Sequence, residues 1–175
     1  MSLFETLSEM IDLRSFSNLW YWIALAVMWS TLSHRILGAP FDMVHRARKY
    51  GGQAVQDLDD LVRINVNRMM FVVRSAGVWL LGLACFFLSA LATLGFVLGM
   101  EIAQAVFLLV FPLSLVVLIN LMTAQKVLQK EAQGEDLYKA MTTCRFLIQL
   151  LGMIFIFVTA LWGMYQNLNI GPLGG

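Results

Sequence analysis

Apolar positions along the chain gather into four long runs separated by polar stretches. Residues 16–37, 75–98, 102–123 and 146–166 are each almost continuously apolar, and about 20 such residues carry a helix across hydrocarbon. Each run is predicted to be a spanning helix. The connections 38–74 and 124–145 hold most of the polar residues, whereas 99–101 is so short that the second and third runs must form an antiparallel hairpin. The predicted fold is all-α, one polytopic membrane domain over residues 1–175 with four transmembrane helices. The first run follows ETLSEMIDL with neither a basic leader nor a small-residue cleavage site, so it is expected to be a retained span and not a signal peptide.

The polar stretches carry patterns of their own. Leu3, Phe4, Leu7, Met10 and Ile11 recur at helical spacing while Glu5, Glu9 and Asp12 fall elsewhere, which predicts an amphipathic N-terminal helix lying on the membrane surface, the alternative being a frayed tail. After the first run, LGAP is expected to break the helix because Pro40 lacks an amide donor. FDMVHRARKY then reads as a short basic interfacial helix ended by Gly51 and Gly52. From Gln53 no strong breaker occurs for some twenty residues, and Leu58, Leu61, Val62 and Asn65 share a side. Two readings follow: a cytoplasmic extension that enters the second span unbroken, or a separate helix lying flat. Asp59 and Asp60 precede Arg63 in the order that favours a helical ion pair.

Inside the spans, GFVLG (95–99) has spacing that suits either close backbone approach or a turn. Pro112 predicts a kink in the third span, where neighbours must satisfy the freed carbonyl. In the fourth span Gln149, Gly152, Ile156, Thr159, Gly163 and Gln166 follow alternating steps of three and four. Such a small and polar stripe contacts protein, as a helix-packing or partner seam, or lines water.

Charge orients the picture. Of twelve Lys and Arg, ten lie in the first and third connections, Arg35 lies at the end of the first run on the same side, and only Arg14 lies elsewhere. The positive-inside rule makes those connections cytoplasmic and both termini periplasmic. WYW (20–22) and LWGMY (162–165 with Leu161) fall at the same predicted outer face, as an aromatic belt requires. Trp29 and Trp79 do not fit the belt and are expected between helices. Arg35, Arg46, Arg48 and Lys49 are candidates for lipid headgroup contact. Asp60, Arg63, Asn67, Met70 and Arg74 form one stripe. Arg74 ends it, as an interfacial anchor or as a buried lining residue together with Glu101, Gln104 and Asn120.

Composition agrees with a membrane class, at 59% hydrophobic and 13% charged residues, and excludes an ordinary soluble domain. Chemistry is sparse. His34 and His45 have no further ligands nearby in sequence, so no metal site is expected. Cys85 lies within the second run and Cys144 at the edge of the fourth, too far apart to share a cluster or a disulfide framework. No phosphate-binding glycine loop, His-Glu-x-x-His, nucleophile elbow or carboxylate pair occurs. No catalytic residue, cofactor or nucleic-acid partner is expected.

The strings RSFSNLWYWIALAVMWS (14–30), LGAPFDMV (37–44), DLVRINVNR (60–68) and FVTALWGMYQN (157–167) resemble a family of small alphaproteobacterial integral membrane proteins. That family carries the label of a component of the Suf iron–sulfur assembly complex. The resemblance implies the bacterial inner membrane as location and brings no functional residues with it. Two functions remain in view: a non-catalytic accessory or scaffold subunit of a larger membrane complex or homo-oligomer, and a small oligomeric channel or transporter.

Overall fold

A computed structural model describes Phe16 and residues 19–169. The expected amphipathic helix over 1–15 lies outside the described residues. In chain order the elements are α1 (Leu19–His34), a minimal hairpin of β1 (Arg35–Ile36) and β2 (Ala39–Pro40), α2 (Asp42–Tyr50), α3 (Gln53–Ala92), a π-helical turn (Thr93–Val97), α4 (Glu101–Gln129) and α5 (Gly134–Asn169). Among the described residues three helices are long and apolar enough to cross a membrane: α3 with its π turn, α4 and α5. The chain is therefore a membrane-associated helical protein. α4 packs between α3 and α5, and α1 closes onto α5.

α1 is shorter than the first apolar run. It stops at His34, and residues 35–40 fold back as an antiparallel pair with Ile36 opposite Ala39. The expected break at Pro40 is thus made earlier and by a turn. Leu37 and Gly38 both take positive φ, 52° and 75°, the geometry of a two-residue hairpin turn. For leucine that conformation costs on the order of 1 kcal/mol. Burial of the Leu37 side chain offsets the cost, and its N–H donates to Asn120 Oδ1 at 3.1 Å. Gly38 has no alternative, since a Cβ there would lie 2.8 Å from Asn65 Nδ2.

α2 buries Val44 and Ala47 and leaves Arg46 and Lys49 exposed. It ends at the glycine pair, where the Gly51 N–H donates to Ala47 O at 3.0 Å. α3 then runs for 40 residues without a break, about 60 Å. Leu58, Val62, Val66 and Met70 are buried at successive steps of four, one face of its first half.

Both readings of GFVLG apply. Gly95 is a close approach, for a Cβ would meet the Gln104 backbone nitrogen at 2.9 Å. Gly99, with φ of 73°, makes the turn into α4. Helix α4 continues through Pro112 to Gln129, well past residue 123, and α5 begins at Gly134. The third connection is thereby reduced to four residues, because its charged sequence forms helix ends.

Candidate functional site

Polar side chains within the apolar bundle meet at two nodes. At the π-turn end, Gln104 is buried between α3, α4 and α5. Its Nε2 donates to Gly95 O at 2.8 Å, and its Oε1 accepts from Trp162 Nε1 at 3.0 Å and from Gln166 Nε2. One amide therefore ties three elements, and burial without these partners would cost free energy. Nearby, Glu101 Oε1 accepts the Phe16 N–H at 2.9 Å, and the Tyr21 hydroxyl donates to Ala105 O at 3.4 Å.

At the opposite end of α4, Asn120 holds the hairpin. Its Oδ1 accepts from Leu37 N, with Cys144 Sγ at 3.9 Å, and its Nδ2 donates to Val116 O at 3.0 Å. Sixteen residues of helix separate Gln104 from Asn120, about 24 Å. The four candidate lining residues are thus not brought together. Gln104 and Glu101 share one end, Asn120 is at the other, and Arg74 is exposed on α3. Among the described residues Arg74 makes no ion pair.

The fourth-span stripe meets protein at four of its six positions. Gly152 faces Trp29, where a Cβ would lie 2.9 Å from Cε3, and Gly163 faces Trp22 and Phe16. Thr159 is fully buried and Gln166 reaches Gln104. Gln149 and Ile156 point away. Ile148 is the buried neighbour instead, and Phe155 packs against the core. One residue on a helix is a rotation of 100°, so at these two positions Gln149 and Ile156 fall on the adjoining face while Gly152, Thr159 and Gly163 keep the seam. Trp29 packs between helices as expected, but Trp79 is 84% exposed. It lies in the half of α3 in which no residue is fully buried.

Beyond the bundle, the first half of α3 meets the α4–α5 connection around a cavity of about 310 Å³ lined by Asp59, Arg63, Val66, Asn67, Glu131 and Leu137, among others. Asp60 bonds Arg63 at 2.8 Å, the expected local pair. Asp59 does something the sequence did not suggest: its carboxylate lies by the backbone N–H of Gly134, the first residue of α5, while its Oδ1 is buried without a partner among the described residues. That position suits a carboxylate. Burial nevertheless raises the Asp59 pKa, against the lowering effect of the Gly134 bond, and Asp60 adds to the rise. The cavity was missed because its walls come from two segments far apart in the chain, 59–67 and 127–137.

The basic residues divide by environment. Arg48 pairs with Glu135 at 3.0 Å and lies over the Tyr138 ring, and Lys49 stands over Tyr50. Arg35 and Arg46 are exposed. Arg145, which sequence reasoning counted but did not single out, lies 4.1 Å over the centre of the Phe41 ring. Among the described residues no group of histidine, cysteine and carboxylate side chains is arranged to hold a metal. Set against models of known protein families, curated proteins and solved structures, the chain matches none of them.

Proposed function

We propose that this protein is a non-catalytic accessory or scaffold subunit in a bacterial inner membrane, bound to a larger complex or to its own copies. The carrying observation is the contrast between consumed and unused surface. Gln104 and Asn120 spend their polar groups within the chain. The apolar window of α3, by contrast, is only 6% buried, against 33% for α4 and 22% for α5. A helix that contributes so little to its own bundle is the natural face for lipid or for another membrane helix.

In this reading α1 is a fourth span, both termini are periplasmic, and the hairpin, α2 and the first half of α3 project into the cytoplasm. The distribution of Lys and Arg supports that orientation. Purification from native membranes in mild detergent, followed by mass spectrometry, tests the proposal. A stoichiometric partner or a homo-oligomer is expected, and recovery only as a monomer would count against it. Arg74, exposed and without an ion pair among the described residues, keeps an oligomeric channel as the second reading. Liposome flux abolished by Arg74→Ala would favour it.

A further inference from the structure

Arg145 is the last charged residue before an uncharged stretch that continues through α5 to Asn169, so it stands where the helix passes from polar to apolar surroundings. Its guanidinium is stacked on the buried Phe41 ring. Its Nε has no exposed surface and no hydrogen-bond acceptor. Neither ion pair among the described residues includes it. A partly buried guanidinium without a counter-ion is costly, and an unsatisfied buried donor calls for a specific explanation.

The His45 and Phe41 ring centres lie 5.2 Å apart in an edge-to-face arrangement, and the Phe41 N–H donates to the backbone carbonyl of His34. Arg35 is opposite Pro40 in the hairpin, one residue from Phe41, and this strand packs against α5. Asp42, the adjacent carboxylate, is exposed and makes no ion pair.

We propose that Arg145, with Arg35 on the strand that packs against the same helix, is a binding site for the phosphodiester of an anionic phospholipid. Guanidinium offers paired donors that match phosphate oxygens. The Phe41 ring orients the fork through a cation–π contact. Its place at the start of an apolar run lets acyl chains lie along the exposed Phe146 and Leu147 while the headgroup meets the basic cluster. The site is distinct from Arg46 and Lys49, which are exposed and have no such buried donor.

The test uses the full chain in detergent, with bound lipid counted by native mass spectrometry. Phosphatidylglycerol should be retained over phosphatidylcholine by about tenfold, the size of a charge-assisted hydrogen bond. Arg145→Gln should remove that preference, Arg145→Lys should keep part of it, and Arg68→Gln, at an exposed arginine of α3, should leave it unchanged. Helical content by circular dichroism identifies any variant that has not folded. Competition on the wild-type chain needs no variant: millimolar inorganic phosphate should fail to displace the lipid. Equal retention of the two lipids, a folded Arg145→Gln that keeps the preference, or displacement by inorganic phosphate would overturn the proposal.

Discussion

The two halves of α3 share one unbroken helix and almost nothing else. From Gln53 to Met70 the helix is amphipathic: Leu58, Val62, Val66 and Met70 are buried on one face, and Asp60, Arg63 and Asn67 face outward. From Phe71 to Ala92 no residue is buried, although the side chains are larger and more apolar; Val78 is 85% exposed and Trp79 84%. In water the second half would be unstable, because nothing hides its apolar surface. The first half is held by burial against its own chain, and the second by its surroundings. Continuity of a helix is therefore no guide to what stabilises it.

Truncation gives the largest expected difference between the halves. Leu58→Ala, at a site with 0% exposure, should cost about 2–5 kcal/mol in detergent unfolding. Leu83→Ala, with no such burial, should stay within about 0.5 kcal/mol. Equal losses would mean that the second half is packed in the folded protein after all.

Glycine substitutions sharpen the contrast at the next level. A Cβ on Gly82 meets nothing within 4 Å, whereas on Gly95 it meets the Gln104 backbone. Gly95→Ala should lower stability by about 1–3 kcal/mol through overpacking. Gly82→Ala should be neutral, or stabilising by up to about 1 kcal/mol from helix propensity. Thermal melts of the two variants in one detergent decide between these outcomes.

The smallest effect concerns Asp59 in the first half. Its folded pKa is raised by burial, so the folded state holds the proton more tightly than the unfolded chain. Stability from this group is greatest at low pH and falls as pH rises through the folded pKa. Asp59→Asn should keep an acceptor for the Gly134 N–H and melt slightly above wild type at neutral pH. The gap should close as pH approaches the ordinary aspartate range. A variant that melts lower at neutral pH would show that the charge at the start of α5 outweighs desolvation.

Much of the architecture was legible where local chemistry decides it. The glycine pair at 51–52 stops α2, the breaker-free stretch from Gln53 becomes one helix, and Gly99 turns the hairpin. What escaped was tertiary. The Leu37–Gly38 turn depends on Asn120, 83 residues away, and on the space beside Asn65. Gln104 could be recognised as polar among apolar neighbours, but its partners Gly95, Trp162 and Gln166 are set by how three elements meet. Trp79 falls outside the aromatic belt, which predicts a place between helices. It is instead exposed, on a half of α3 where no residue is fully buried.

Cys85 provides the most direct test, since it is an exposed native thiol in the middle of the second half of α3. In a Cys144→Ser background, intact membranes would be treated with a membrane-impermeant maleimide, then with a lipid-soluble one, and compared with a cysteine placed at the exposed Asp57. If apolar surroundings hold this half of the helix, Cys85 should resist the first reagent and react with the second, while Asp57→Cys reacts with the soluble reagent once the membranes are opened. Labelling of Cys85 by the impermeant maleimide as fast as Asp57→Cys in opened membranes would contradict the account, because the second half of α3 would then stand in water.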